Sequence, residues 1–336
     1  MKCNTSTAQF VTMQESCKLE MQNTCETKLF LPCNPTPAQW VAAAQKVTPV
    51  IQNDIELANA LQRLGKGQLD YVVITNVPID STLCDPPENG MRPVSKLMPT
   101  SEITALGLMQ AAGLTPLSYR EEKGDQLVHE VAPSPHLAHT KSNAGKVELG
   151  MHSDNSILEA AFRPEFLLLL ALINDAATGT RIAPALEAFM QLSPRHQELL
   201  TGANYRVQTP DSFDKAFNNK KILSEFRPII TFDDAGGIKA AGNLYAVAPK
   251  NKAARIALEA FNEALIDVSR EIILHPGMAL IFNNEKVFHG RGEIKTGKRW
   301  LQRVFGKIDL TALRNATQST PMDYIFSVRQ LICNFK

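Results

Sequence analysis

The stretch Gly277-Met-Ala-Leu-Ile-Phe-Asn-Asn-Glu-Lys-Val-Phe-His-Gly-Arg291 predicts a buried strand, a turn at its two asparagines and a histidine just beyond that turn. Its uninterrupted apolar run from Met278 to Phe282 is typical of a strand that is covered on both faces. Other short apolar runs precede it, and helical patterns come mainly in the first third of the chain. This order favours a mainly β fold with flanking helices, a double-stranded β-helix (jelly roll, cupin-like).

Short strands are predicted wherever four to eight apolar or β-branched residues lie between turn signals. These strands are 71–77, 126–131, 147–151, 166–173, 205–208, 227–232, 278–282 and 300–305. Helices are predicted where apolar residues recur with helical spacing or where capping residues occur. These helices are 36–64, which opens with the capping box Thr36-Pro-Ala-Gln39, and then 101–112, 183–200 and 252–268.

The chain is predicted to form one domain with an N-terminal extension. Residues 1–34 are polar, rich in Thr, Gln and Asn, and without clear periodicity, so we expect a peripheral, loosely ordered arm there. Residues 35–336 form the single domain, with a helical part at 35–115, the jelly-roll core at about 116–310 and a C-terminal tail. No internal repeat and no convincing linker divides it.

The composition is that of a globular protein with balanced charge. Lys and Arg number 35 against 34 Asp and Glu, which argues against nucleic acid or a membrane surface as the main partner. The longest apolar run, 166–173, is too short to cross a bilayer, and we see no secretory signal. The six cysteines include no Cys-x-x-Cys pair. A disulfide framework or zinc site stays open, but reduced thiols in a cytoplasmic protein are favoured.

Two histidines and one carboxylate are the candidate metal ligands. Residues two apart at a strand end point to the same face, so His152 and Asp154 can face one ion while Ser153 points away. His289 follows 289 − 152 = 137 residues later, and a jelly roll brings such distant strand ends to one rim. Two imidazoles and one carboxylate on one face of Fe(II) leave positions open for a co-substrate and dioxygen. The pattern therefore favours a non-haem iron oxygenase.

Two arginines lie at the last predicted strand. Arg299 and Arg303 are four residues apart, so both face the same side of a strand. A planar guanidinium is a suitable anchor for the distal carboxylate of a keto-diacid. The apolar neighbours Leu301, Val304 and Phe305 indicate a partly buried strand, which disfavours a simple surface ion pair.

Three motifs resemble the clavaminate synthase-like branch of the 2-oxoglutarate/Fe(II) oxygenases, which is related to taurine dioxygenase and includes asparagine and arginine hydroxylases. They are His-x-Asp at 152–154, Asn-Asn-x-x-Val-x-His-Gly-Arg at 283–291 and Arg-Trp-Leu-x-Arg at 299–303. The resemblance runs from about residue 71 to residue 310 and is most specific near its C-terminal end. It implies that the two histidines and Asp154 bind iron.

The same resemblance implies a binding site for 2-oxoglutarate. Arg303 would hold the C5 carboxylate of the co-substrate, and Thr180 would add a hydroxyl to it. Thr178 is close enough in sequence to compete with Thr180, and Arg299 is a further candidate at this site. One position departs from the branch, whose amino-acid hydroxylases commonly carry Glu where this chain has Asp154. Asp is usual in the wider superfamily, so iron binding is still expected, and a carboxylate there disfavours the halogenase variant.

Relatives hold an amino acid with the strand before the first histidine and with a lid after the central helices. By that resemblance, Gln126 or Glu130 could contact an α-ammonium group, and Arg299 could assist with a carboxylate. Asp233 could meet a basic side chain, although a simple turn before Gly236-Gly237 explains it as well. The polar segment 211–226 is the expected lid.

Together these features predict an Fe(II)/2-oxoglutarate-dependent dioxygenase. It would hydroxylate an unactivated C–H bond of a free L-amino acid or a close derivative, using O2 and releasing succinate and CO2. The same oxidant could instead desaturate or cyclise another small metabolite. A non-catalytic jelly-roll binding module and a zinc hydrolase with the same three ligands are alternatives from other classes. His129, His136 and His139 have no fourth zinc partner in their loop and are interpreted as ordinary polar residues.

Overall fold

A computed structural model of the chain describes residues 7–210, 213, 217, 218 and 220–333. Strands and helices alternate irregularly along this part of the chain. The strands are β1 (Ala8–Thr12), β2 (Tyr71–Thr75), β3 (Thr115–Tyr119), β4 (His129–Val131), β5 (Leu149–His152), β6 (Phe166–Asn174), β7 (Thr180–Pro184), β8 (Tyr205–Val207), β9 (Ile230–Phe232), β10 (Ile238–Ala240), β11 (Val247–Pro249), β12 (Arg270–Ile272), β13 (Ala279–Asn283), β14 (Val287–Arg291), β15 (Arg299–Lys307) and β16 (Ile325–Phe326). The α-helices are α1 (Glu15–Thr27), α2 (Pro37–Ala44), α3 (Thr48–Asn53), α4 (Ile55–Gly65), α5 (Thr100–Ala111), α6 (Arg120–Lys123), α7 (Ala185–Met190), α8 (Pro194–Thr201), α9 (Lys252–Val268), α10 (Thr311–Thr317) and α11 (Val328–Cys333).

Two sheets pack face to face at the centre of the molecule. The larger has eight strands in the order β1-β2-β13-β6-β15-β3-β16, with β4 also paired to β15. The smaller has four strands in the order β12-β7-β14-β5. Leu169 and Leu301 of the larger sheet and Ile182 and Val287 of the smaller one belong to the same buried cluster. The space between the sheets is therefore a common hydrophobic core.

Helices cover the outer face of each sheet. Alternate residues of β6 point in opposite directions, so Leu168 and Leu170 pack with helices α1 to α5, while Leu167 faces the smaller sheet. Helices α7 to α9 cover the smaller sheet, where the rings of Phe261 and Phe288 are 5.6 Å apart. The result is a mixed fold of four layers, helix, sheet, sheet and helix. Coverage on both faces explains the uninterrupted apolar runs in the sequence.

The predicted strands are confirmed with shifted ends, while two predicted helices are wrong in extent. The predicted helix 36–64 is three helices, α2 to α4. Thr36 and Gln39 form the expected capping box, but Asp54 interrupts the region and caps α4 by accepting from Leu57 N at 3.3 Å. The predicted helix 183–200 begins as the end of β7 and then divides into α7 and α8. None of the helices in the described part of the chain has both the length and the apolar surface of a transmembrane span.

The N-terminal segment is part of the core from residue 8 onwards. β1 pairs in parallel with β2, with Phe10 opposite Val73. Cys17, Met21 and Cys25 form one face of α1 and are buried in the cluster that includes α5. The expectation of a loosely ordered arm is therefore wrong for residues 8–27, because the polar composition obscures this narrow apolar stripe.

The long connection between β2 and α5 is held by a buried group of charges. Lys96 Nζ lies 2.9 Å from Asp80 Oδ2 and 2.6 Å from Glu102 Oε2, and Arg92 Nε lies 2.7 Å from Glu102 Oε1. Burial raises the pKa of Glu102, but the charges of Lys96 and Arg92 outweigh it, so the pKa of Glu102 is lowered overall. The buried ammonium group of Lys96 thus compensates the charges of both Asp80, in the connection, and Glu102, in α5.

Replacing Lys96 with Met should lower the free energy of unfolding by roughly 3–5 kcal/mol, because two buried carboxylates lose their shared cation. Urea denaturation followed by circular dichroism measures the change. Lys298→Met is the matched control. Lys298 forms an ion pair with Asp85, which lies on the same connection between β2 and α5 as Lys96, but both side chains of this pair are exposed. The control should leave the midpoint nearly unchanged. Equal losses in the two variants would contradict a structural role for the buried group.

Candidate active site

A cavity opens between the two sheets where β5 ends. Inward-pointing strand residues such as Leu169 and Leu301 form one part of its wall, and the loop residues Lys141, Gln208 and Tyr245 form another. All the charged residues that the sequence singled out for iron and 2-oxoglutarate line this cavity. They are His152, Asp154, His289, Arg299 and Arg303.

The three predicted metal ligands converge at one point of the cavity. His152 ends β5 and lies opposite His289 of β14, while Asp154 follows two residues after the strand. His152 Nε2 lies 3.4 Å from Asp154 Oδ1, and His289 Nε2 lies 4.0 Å from the same oxygen. The ligand atoms of all three lie within 4.8 Å of one another, so a single ion can contact them all. Ser153 points away and accepts a hydrogen bond from Gly242 N at 3.1 Å.

The protonation of the two imidazoles fits a metal site. His152 Nδ1 lies 2.9 Å from Gly150 O, and donating its proton there leaves Nε2 unprotonated. Burial, and then the neighbouring His152, lower the pKa of His289 to about 3, so the ring of His289 is neutral at pH 7. His289 Nδ1 has no hydrogen-bond partner among the described residues. Two imidazole nitrogens and one carboxylate are a donor set for a divalent ion such as Fe(II).

Asn284 fixes the backbone of Asp154. Its side chain accepts from Asp154 N at 2.9 Å and donates to Asp154 O at 3.1 Å and to Pro164 O at 3.0 Å. The sequence predicted only a turn at this asparagine. Burial raises the pKa of Asp154, but Arg303 and His152 outweigh that effect and lower it far below its usual range. The carboxylate is therefore ionised at neutral pH.

Arg303 connects Asp154 to two residues that the sequence did not assign to the site. Its Nη1 donates to Asp154 Oδ2 at 2.9 Å, and its Nη2 donates to Glu122 Oε1 and to His129 Nδ1, the latter at 2.8 Å. The guanidinium lies over the ring of Phe305, 4.4 Å from its centre. Burial lowers the pKa of Arg303, but Glu122 and Asp154 outweigh it and raise it. The positive charge is thus compensated by two carboxylates within the protein.

Arg299 faces the same cavity without such compensation. It is buried, its Nε has no hydrogen-bond partner, and no carboxylate among the described residues forms an ion pair with it. Burial, and then the charge of Arg291, lower the pKa of Arg299 to about 9. Arg291 differs because its guanidinium donates to backbone carbonyls of residues 145–147 and Gly292. An uncompensated buried cation is costly, so this part of the cavity favours an anionic ligand.

Thr180 also lies beside the cavity. It is buried in β7 directly opposite Arg291 of β14, and it lines the cavity wall. Thr178, the alternative that the sequence left open, does not line the wall. Its backbone instead exchanges hydrogen bonds with the side chain of Asn174. The structure thus places Thr180, and not Thr178, beside the cavity.

Glu130 does not reach the cavity, so the expectation that it contacts a substrate is wrong. It lies on the helix-facing side of the larger sheet, where Trp300 Nε1 donates to it at 2.5 Å and Gln302 Nε2 at 3.1 Å. Side chains of β4 alternate between the two faces of the sheet, and it is His129 that lies on the side of Arg303. Burial, and then the charge of Glu102, raise the pKa of Glu130 to about 7.

Two further candidates for substrate contacts also lie elsewhere. Gln126 is half-buried and its Nε2 contacts Met91 Sδ at 3.5 Å, away from the cavity wall. Asp233 is exposed and accepts from the backbone nitrogens of Ala235 and Gly237 at 3.0 and 2.7 Å, which confirms the turn interpretation. The expected lid at 211–226 lies partly outside the described residues. Residues 208–210, just before it, line the cavity.

Sequence reasoning missed Glu122 and gave His129 no function. Glu122 lies in α6, a single turn of helix that is too short to show a periodic pattern. His129 lies in the three-residue strand β4 and was interpreted as an ordinary polar residue. Only the alternation of β4 could have indicated that His129 and Glu130 face opposite sides. The contacts of Glu122 depend on the fold of distant segments and left no signal in the sequence.

The arrangement of ligands and arginines is that of a dioxygenase family. The model of the Taurine catabolism dioxygenase TauD, TfdA family matches residues 99–305, and the chain belongs to this family. The chain is 23% identical over 248 residues to clavaminate synthase 2 of Streptomyces clavuligerus. The aligned residues are 71% of this chain and 74% of that protein.

Solved structures of oxygenases share the fold. An asparagine oxygenase in complex with Fe(II), (2S,3S)-3-hydroxyasparagine and succinate has a TM-score of 0.81 and 23% identity, over 95% of this chain and 99% of that one. The non-heme iron oxygenase OrfP in complex with Fe, succinate and (3S)-hydroxy-L-Arg has a TM-score of 0.79 and 16% identity, over the same shares. At these identities the likeness establishes the common fold.

Replacing Glu130 with Gln should flatten the fall in stability between about pH 4.5 and pH 7. In this window the folded protein keeps the proton of Glu130 while the unfolded chain, with its ordinary pKa of 4.5, releases it. Wild-type stability therefore decreases as pH rises through the window, and the variant lacks this contribution. Urea denaturation at several pH values measures the slope. Glu263→Gln, on the exposed side of α9, is the control, and identical slopes in the two variants would argue against the raised pKa.

Proposed function

We propose that the protein is an Fe(II)- and 2-oxoglutarate-dependent dioxygenase that hydroxylates a C–H bond of a free L-amino acid or a close derivative. The observation that carries the proposal is the convergence of His152, Asp154 and His289 in a cavity that also contains the uncompensated Arg299. Membership of a dioxygenase family supports it, as do similar structures that hold iron, succinate and hydroxylated amino acids.

The charges of the cavity assign a different arginine to each ligand. Arg299 has a buried guanidinium with no ion-pair partner among the described residues, and Thr180 lines the same cavity, so Arg299 anchors the C5 carboxylate of 2-oxoglutarate, with the hydroxyl of Thr180 as a second contact. The sequence favoured Arg303 for this carboxylate. Arg303 is the weaker candidate because two carboxylates of the protein already compensate its charge.

Arg303, Glu122 and Asp154 form a group that suits an amino-acid zwitterion. Among the described residues, neither Arg303 Nε nor Glu122 Oε2 has a hydrogen-bond partner. Arg303 therefore offers a donor to an α-carboxylate, and Glu122 Oε2 is a buried acceptor that suits an α-ammonium group. Asp154 is shorter than the Glu found at this position in many relatives. Glu122 supplies the acceptor that the shorter side chain does not extend into the cavity.

The residues present suggest how the chemistry is organised. His152, Asp154 and His289 would hold Fe(II), which supplies the oxidising power by activating dioxygen at the expense of 2-oxoglutarate, giving succinate and CO2. The two arginines fix both organic ligands by their carboxylates, so that one C–H bond stays near the metal. The apolar wall formed by Leu169 and Leu301 excludes water from the space between them.

The architecture also belongs to the proposal. We assign the two facing sheets to a double-stranded β-helix within one oxygenase domain at 35–336, which residues 8–27 join through β1 and α1. The free thiols of Cys17, Cys25, Cys33 and Cys84 support a cytoplasmic protein.

Anaerobic titration of the protein with Fe(II) and 2-oxoglutarate tests the proposal. A weak charge-transfer band in the visible is expected in the wild type and should be absent in His289→Ala. Amino acids are then screened for succinate release in the presence of O2. A well-folded, metal-loaded wild type that shows neither the band nor succinate would exclude the proposed function and favour a binding module.

Arg299→Gln and Arg303→Gln should separate the two ligands. Loss of a charged hydrogen bond is worth about 1.5–3 kcal/mol, so Arg299→Gln should raise the Kd of 2-oxoglutarate, read from the band, by roughly tenfold or more. Arg303→Gln should leave that Kd within about threefold and raise the KM of the amino acid instead, by a similar factor. Arg303→Lys controls for loss of the buried charge beside Asp154. The reverse pattern would return the co-substrate to Arg303.

A further inference from the structure

We infer that His129 is a positioning residue, a neutral imidazole that fixes the guanidinium of Arg303 in the orientation that binds the substrate carboxylate. The inference rests on the proposed function and adds a residue that touches neither iron nor either organic ligand. His129 is buried in β4, directly opposite Arg303 of β15 in the larger sheet.

The contacts of His129 form a line from the core to the cavity. Ser118 of β3, fully buried, lies with its Oγ 2.6 Å from His129 Nε2. His129 Nδ1 lies 2.8 Å from Arg303 Nη2, and Arg303 Nη1 lies 2.9 Å from Asp154 Oδ2. The ring of Phe305 supports both groups, since it meets the imidazole edge-on at 5.4 Å and lies under the guanidinium at 4.4 Å.

The geometry defines the protonation of His129. A guanidinium only donates hydrogen bonds, so Nδ1 must accept and the single ring proton must be on Nε2, where Ser118 Oγ accepts it. A second proton would point at Arg303. The charged groups around the ring are Arg303, Lys123, Glu122 and Asp154. Burial first, and then Arg303 and Lys123, hold the pKa of His129 well below its usual value.

The contact matters because it removes freedom from a long side chain. An arginine side chain has many rotamers and loses this freedom when it is held in one conformation. Glu122 and Asp154 attract the guanidinium, but Glu122 is also the proposed acceptor for the incoming ammonium group and Asp154 is a proposed metal ligand. His129 carries no charge and does not line the cavity, so it can hold Nη2 while the substrate engages the other groups. Binding then does not have to order Arg303.

Nuclear magnetic resonance of the protein with 15N-labelled histidine tests the protonation directly. The signal assigned through His129→Asn should be that of a neutral ring protonated at Nε2, and it should not change between pH 8 and pH 5. A ring protonated at Nδ1, or one that becomes charged near pH 6.5, would overturn the inference. This measurement does not depend on turnover, so it stands apart from the test of the proposed function.

Steady-state kinetics tests the positioning. His129→Leu removes the acceptor, and removal of such a supporting partner typically costs 10–100-fold, so we expect the KM of the amino acid to rise about tenfold or more with kcat within about threefold. His129→Asn, whose Oδ1 can take the place of Nδ1, should restore KM to within about threefold of the wild type. His196→Asn, in the helix α8, is the control for an unrelated histidine.

The possible outcomes distinguish a failure of the positioning function of His129 from a failure of the proposed enzymatic function. Amino-acid turnover in the wild type with equal KM values in His129→Leu and His129→Asn would overturn the positioning function alone. A parallel loss of kcat, KM and thermal stability in both variants would also overturn it, because that is the result of a purely structural residue. Absence of turnover in the wild type counts against the proposed function and, with it, against the inference.

Discussion

The carboxylate of Asp154 joins the two halves of the site, because its two oxygens face different groups. Oδ1 faces the imidazoles of His152 and His289, and Oδ2 accepts from Arg303. Asp154 follows a strand of the smaller sheet, whereas Arg303 belongs to the larger one. A single short side chain therefore relates the position of the proposed metal site to that of the proposed substrate anchor.

The two faces of β15 lie in different environments. Arg299, Leu301 and Arg303 face the cavity, whereas Trp300 and Gln302 face the helices and donate to Glu130. Behind Glu130 lies the buried charge group of Lys96, Asp80 and Glu102. The strand that carries both arginines is thus fixed by polar contacts on its hidden face. Such support limits the movement of the arginines, which is what a preorganised anion site requires.

The sequence was most informative where backbone geometry alone decides the outcome. Alternation in a strand correctly placed His152 and Asp154 together and put Arg299 and Arg303 on one face. Glu130 was misassigned because the same alternation places it on the opposite face from its neighbour His129. The difference in charge compensation between the two arginines could not be predicted, since it depends on which guanidinium meets a carboxylate after folding. Glu122, which makes that difference, comes from a one-turn helix.

The structure of the N-terminal segment also depends on contacts with distant parts of the chain, which the sequence does not show. Its polar composition predicted a peripheral arm, yet β1 extends the larger sheet and α1 packs against α3 and α5, with Cys17, Met21 and Cys25 buried. Three residues at helical spacing are too few to identify a buried helix in a polar segment. β1 pairs with the edge of β2, and that edge exists only in the folded protein. The sequence of the N-terminal segment alone therefore does not indicate the pairing.

The wall of the cavity is divided between strands and loops. The proposed metal ligands and the two arginines lie in strands or within two residues of one, whereas Lys141, Gln208 and Tyr245 lie on loops. Loops tolerate insertion and exchange far better than the paired strands between them. The reactive centre and the selectivity of the cavity can therefore diverge independently during evolution. A family of such proteins can acquire new substrates by replacing three surface segments while inheriting one unchanged oxidation site.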